Sequence, residues 1–217
     1  MKQKTIVTIL GFLLYCVFFV LAWMNGLAKF YGPDIVFSLI LILFLRLTFD
    51  FWRLNVPVYT LVILSFASHL MGIFGWYSAS PLPLSWDRIT HVFPMFAFTV
   101  LFYNFARQWM PNRFWKAQTW GVIVLILLAG LGVGAMVENI EFGGFLLLGF
   151  GEGAFFLGGP GDGIPHIVEL DEEQQNALLE AGGGYFNTEF DLVWNALGAL
   201  AAIVLMSIVH FAMKPEL

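Results

Sequence analysis

Apolar residues run along this chain in long unbroken stretches, and charged residues interrupt them at few places. One stretch covers residues 5–24, behind the short basic start Met1-Lys2-Gln3-Lys4. Others cover about 34–48, 56–77, 87–105, 115–142 and 188–213. Crossing roughly 30 Å of hydrocarbon takes about 20 helical residues, and the runs are of that order. They do not alternate in ~10-residue segments, which excludes a transmembrane β-barrel. The pattern predicts an all-α, polytopic integral membrane protein: one membrane domain built as a six-transmembrane-helix bundle. Gly26-Leu27-Ala28 is a small-x-small triplet, so residues 5–24 also invite comparison with a signal peptide. The run is long for a signal core of ~7–15 residues, and a retained span is the better reading.

Trp23, Trp52, Trp76, Trp86, Trp109, Trp115 and Trp120 fall near the predicted span ends, as an aromatic belt at the two interfaces requires. Gly130 and Gly134 form a small-xxx-small pair in the fifth span, a spacing that permits close helix approach. With six spans, Lys2, Lys4, Arg46, Arg53, Arg107, Arg113, Lys116 and Lys214 lie on one side, and Lys29 and Arg88 on the other. The positive-inside rule then puts both termini in the cytoplasm. It puts residues 143–187, a Gly-rich acidic loop without Lys or Arg, outside. Within it, 171–181 reads as a short surface helix.

Composition agrees: 59% of the 217 residues are hydrophobic and 12% charged, with a mean hydropathy of +0.82. The net charge of −5 arises mostly in the outer loop, and no basic patch points to nucleic acid. The expected surroundings are a lipid bilayer. Cys16 is the single cysteine, which rules out a disulfide within the chain and argues against a thiolate metal site.

The chemistry lies where polar residues break the apolar runs. Val137-Glu138-Asn139-Ile140-Glu141-Phe142 places two carboxylates in the fifth span. At i and i+3 they share a helix face. A lipid-facing carboxylate costs roughly 2.5–3.5 kcal/mol on insertion scales, so these must face protein. Asp87 and His91 pair at i, i+4 at the start of the fourth span, and Asp191 and Asn195 at the start of the sixth. Ser65 and His69 lie one turn apart, past the middle of the third. Spans three and five run outward and four and six inward, so all these groups fall in the outer half of the membrane. The first two spans contribute no such group and read as scaffold. His166 and His210 show no partners in sequence.

Each residue has a plainer role. Asp87 could cap its helix, with Arg88 an interfacial anchor, and Thr188-x-x-Asp191 has the form of a capping box. Asn195 suits an interhelical hydrogen bond. Glu138, deepest in the run, is hardest to explain that way.

Ser-His in a third span, Asp87-Arg88-Ile89-Thr90-His91, Glu138-x-x-Glu141 and Thr188-x-x-Asp191-Leu192, with Gly198 following, resemble the YjdF-like bacterial and archaeal membrane proteins. More loosely they are similar to VanZ-like proteins, through Asp191-x-x-x-Asn195-x-x-Gly198. The resemblance covers about 65–198 and implies a shared site in a prokaryotic cytoplasmic membrane. The long acidic insertion before Thr188 departs from that pattern, in which a Gly-Asp pair closely precedes the Thr; here Gly161-Asp162 stands farther off.

Two histidines and several carboxylates are hard to borderline ligands, suited to one divalent ion of zinc, manganese or iron. A catalytic zinc needs about three protein ligands and an open position. His69, His91 and a carboxylate from Asp87, Glu138 or Asp191 would supply them. A remaining carboxylate (Glu138, Glu141 or Asp87) would carry acid–base catalysis, with Ser65, Arg88, Thr188 and Asn195 in support. The leading expectation is a metal-dependent hydrolase or transferase acting on a lipid or lipid-linked substrate. The alternatives are a proton- or cation-coupled transporter or flippase, and a non-catalytic membrane partner docked through the acidic loop.

Overall fold

A computed structural model describes residues 2–148, 171, 173–174 and 183–213; for 141–148, 183–189 and 213 it describes the backbone course only. All six long elements are helices: α1 (Lys2–Met24), α2 (Ala28–Leu47), α3 (Val56–His69), α4 (Trp86–Ala106), α5 (Ala117–Leu148) and α6 (Gly183–Met213). α3 tightens into a 3-10 turn over Leu70–Phe74, and α4 into another over Arg107–Trp109. Six stretches within them are long and apolar enough to cross a membrane. Large apolar side chains such as Ile9, Leu10, Leu13 and Val17 lie exposed on α1. Water would penalise each by roughly 1.5–3 kcal/mol, whereas hydrocarbon does not.

The helices alternate in direction. Glu138, late in α5, meets Asn195, early in α6, while Ile126 and Ile203 share a cluster nearer the opposite end. α4 makes its most extensive interface with α6, and α5 packs on both. The other half is α1, α2 and α3 around a buried core that includes Tyr15, Tyr31 and Tyr59. A phenol buried among apolar helices needs an acceptor. Tyr15 donates to Ile63 O at 2.9 Å and Tyr59 to Ile42 O at 3.0 Å.

The predicted spans reappear with shifted ends. α2 starts at Ala28, not near 34, because the chain turns earlier, at Gly26 with φ 71°. Asp34 therefore sits in its second turn, buried beside Pro33. α3 begins at an asparagine cap: Asn55 Oδ1 accepts from Val58 N at 2.9 Å, and Pro57 occupies the first turn. The α5 backbone runs on to Leu148, so the helix continues beyond the approximate span end at 142. At 32 residues it is ~48 Å long, more than one hydrocarbon thickness. α6 begins five residues before Thr188, so that residue lies inside the helix and cannot open it as a capping box would. Trp23, Trp109, Trp115 and Trp120 are exposed as belt residues should be. Trp86 is instead buried, its indole donating to Ser68 O at 2.9 Å and tying α4 to α3.

Candidate functional site

The α4–α5–α6 seam ends in a cluster around one imidazole. α4 supplies Asp87 in its first turn, after the N-cap position Ser85, where a carboxylate complements the helix dipole. One turn on, His91 Nε2 lies 3.6 Å from Asp87 Oδ1. α6 brings Asp191 Oδ1 to 3.4 Å from the same nitrogen. On the other side of the ring, Glu138 Oε1 of α5 lies 3.3 Å from His91 Nδ1. Asn195, one turn beyond Asp191, donates its amide to Glu138 Oε1 at 2.8 Å. Glu138, Asp191, Asn195 and His91 are buried, while the Asp87 side chain keeps 41% of its surface exposed.

Glycines let three helices converge here. A Cβ on Gly198 would lie 2.3 Å from Val92 O, so α6 backs directly onto the α4 backbone next to His91. A Cβ on Gly134 would lie 3.0 Å from Asn195 Cβ, and one on Gly130 2.4 Å from Thr99 Oγ1. Gly130, Gly134 and Glu138 recur every four residues and so share one face of α5. That face follows the seam, and the small-xxx-small pair is a close-approach surface.

The cluster is rich in negative charge and acceptors, which would suit a cation. With Nδ1 donating to Glu138, the lone pair of Nε2 points toward two carboxylate oxygens. In that state Nε2 and the two oxygens are all acceptors, and a shared proton or a cation between them would relieve their repulsion. A metal ion satisfies them, and so does a proton that makes the ring an imidazolium. Two of the three ligand separations match a metal site. Ligand atoms about 2.0–2.2 Å from a tetrahedral ion lie roughly 3.3–3.6 Å apart. The Nε2–oxygen separations are 3.4 and 3.6 Å, and the ligand atoms of Asp87, His91 and Asp191 all lie within 4.8 Å of one another. Glu138 lies where a carboxylate would fix the tautomer and aim of a ligating histidine.

His69 does not join the cluster as expected. Its Nε2 lies 3.1 Å from Asp34 Oδ2 and its Nδ1 2.7 Å from Tyr77 Oη. With both nitrogens engaged, no lone pair remains for an ion shared with His91. α2 is accordingly not bare scaffold: Asp34, 3% exposed, is the buried acid that sequence reasoning passed over. Its signal was there, in Asp34 and Ser38 one turn apart in an apolar run. Ser65 is buried and donates to Val62 O at 2.8 Å within its own helix. Arg88 is exposed, its guanidinium 5.1 Å from the centre of the Trp194 ring. The side chains of Glu141 and Thr188 lie outside the described residues, as does Asp162.

No curated protein and no solved structure shows significant similarity to this chain. A family described as "Predicted membrane protein (DUF2238)" matches residues 6–212, nearly the whole chain and every element described above. The chain belongs to this DUF2238 family of predicted membrane proteins, the one to which its YjdF-like motifs point.

Proposed function

We propose that this protein is a metal-dependent hydrolase or transferase whose ion is held by Asp87, His91 and Asp191. The observation that carries the reading is that His91 Nε2 lies 3.6 and 3.4 Å from the Asp87 and Asp191 oxygens, with the three ligand atoms within 4.8 Å of one another. One nitrogen and two oxygens leave a fourth position open and favour zinc or manganese. Such an ion would supply an activated water and a Lewis acid for a carbonyl or phosphoryl oxygen. Asp87, half-exposed at the first turn of α4, would border the entrance. Glu138 and Asn195 would hold the imidazole in place.

The substrate class follows from the entrance. Arg88 lies next to Asp87 in sequence and rests over Trp194, three residues beyond Asp191. An exposed guanidinium beside a cation site favours an anionic group, and a position at the end of the spans favours a lipid or lipid-linked headgroup. Elemental analysis of detergent-purified protein tests the reading. About one ion per chain is expected, lost in His91→Ala and Asp191→Ala. Purified, folded protein that takes up no zinc, manganese or iron would refute it.

The buried Glu138–His91–Asp191 chain also supports a proton- or cation-coupled transporter, in which the imidazole carries a proton instead. Proton-driven uptake by reconstituted liposomes, with no transition metal bound, would select that reading.

A further inference from the structure

A second constellation sits in the other half of the bundle. Asp34 on α2 is buried, with Oδ2 3.1 Å from His69 Nε2. His69, the last residue of α3, has Nδ1 2.7 Å from Tyr77 Oη. Tyr77 is half-buried, three residues past the end of the third candidate span. The chain returns it to His69 by a defined turn. Gly75 takes φ 75°, its N–H bonds Gly72 O at 2.8 Å, and Ala79 N bonds Gly75 O at 3.0 Å. Gly72 makes the space, since a Cβ there would lie 2.3 Å from Tyr31 Oη and 2.6 Å from the Tyr77 ring.

We propose that Asp34, His69 and Tyr77 form a second reactive centre, with the Tyr77 hydroxyl as nucleophile for an electrophilic carbonyl or phosphoryl group. The roles follow from the order of contacts. The Asp34 carboxylate accepts from Nε2–H, which leaves the Nδ1 lone pair facing the phenol. Tyr77 O–H then donates to Nδ1, and His69 is its general base. Asp34 is a positioning residue that fixes the tautomer and stabilises the imidazolium once formed. This is the nucleophile, base and orienting carboxylate of a catalytic triad, with a phenol in place of the usual alcohol. In the step, Tyr77 Oη attacks the electrophile and a new O–C or O–P bond forms. The bond to the leaving group breaks, and its electron pair departs with that group. The hydroxyl proton passes to His69 Nδ1.

A simple tether between the 75–79 turn and α3 would hold Tyr77 in place and leave its oxygen no more reactive than any phenol. Reactivity therefore separates the two. Intact protein in detergent is treated with a water-soluble aryl sulfonyl fluoride, which adds to activated phenols and releases fluoride. Modified residues are mapped by peptide mass spectrometry. Tyr77 should react at least about tenfold faster than N-acetyltyrosinamide. His69→Ala and His69→Gln should lower the rate by about 100-fold, the usual contribution of a general base. Asp34→Asn should lower it too, and Tyr77→Phe should remove the label. Tyr77 reacting no faster than the free amide overturns the proposal, as does an unchanged rate in folded His69→Gln protein. Metal content at Asp87, His91 and Asp191 is read on the same samples, so failure of the metal reading and failure of this one are distinguishable.

Discussion

Gly198→Ala tests whether the seam between α4 and α6 builds the Asp87–His91–Asp191 cluster. The added Cβ would lie 2.3 Å from Val92 O and 3.0 Å from Val92 C. Carbon meets a carbonyl oxygen comfortably at about 3.3–3.6 Å, so the two helices must part by about 1 Å. The obstacle is backbone, which cannot rotate aside as a side chain could. Overpacking of this kind costs about 1–3 kcal/mol, at roughly 2–4 °C of melting temperature per kcal/mol for a chain of this size. The effect on the site should be larger in proportion. Val92 follows His91, and Gly198 lies two turns beyond Asp191 on the same face. Metal–ligand bonds tolerate about ±0.2 Å, so a 1 Å separation would open the ligand set. The assay is thermal unfolding in detergent with elemental analysis of the same sample. Gly121→Ala and Gly132→Ala are the controls, because a Cβ at either meets nothing within 4 Å. They should keep the ion and match or exceed the parent in stability by up to ~1 kcal/mol. Gly198→Ala protein that melts with the parent and keeps its metal would refute the claim that this contact positions the ligands.

Glu138→Gln should weaken metal affinity by about 10–100-fold while the protein stays folded, since Glu138 acts on His91 through Nδ1. Titration against a competing chelator reads this, and an unchanged affinity would show that the Glu138–His91 contact does not tune the ligand. His69→Ala should leave metal stoichiometry intact, because its nitrogens face Asp34 and Tyr77; loss of the ion would return His69 to the ligand set. Thr99→Val removes a buried hydroxyl that has no hydrogen-bond partner among the described residues. The change should be neutral or stabilise by about 1 kcal/mol, and a clear loss of melting temperature would contradict that reading of Thr99.

Hydropathy revealed the helices because each span must carry its own apolar surface, a property local to the run. It also placed His91, Glu138 and Asp191 near one end, since depth along a helix is read by counting residues from its boundary. Depth alone could not say which faces meet. His69 lies at the same end of the bundle as His91, yet it turns to Asp34 and Tyr77. Asp34 was passed over because hydropathy starts the second run at about residue 34, and a carboxylate at a boundary needs no partner. Once α2 is seen to begin at Ala28, Asp34 lies a turn inside and must have one. Tyr77 gave no sequence signal, for its position depends on the left-handed Gly75.

The missing azimuth was written in the small residues. Gly130, Gly134 and Glu138 occupy one face of α5, and Asp191, Asn195 and Gly198 one face of α6. In each set a polar group capable of site chemistry stands a turn or two from a glycine that admits a neighbouring helix. In a membrane, apolar surface gives helices no reason to prefer one neighbour over another, so close backbone approach has to supply the preference. The faces with glycine are therefore the faces that touch, and carboxylates on the same faces are those forced to share a pocket. Applied to the segment after α3, the same rule is consistent with Asp34 and His69 meeting away from the α4–α5–α6 seam. Gly72, which opens space for the rings of Tyr31 and Tyr77, lies one turn from His69 on the segment that follows α3, not on the α4–α5–α6 seam.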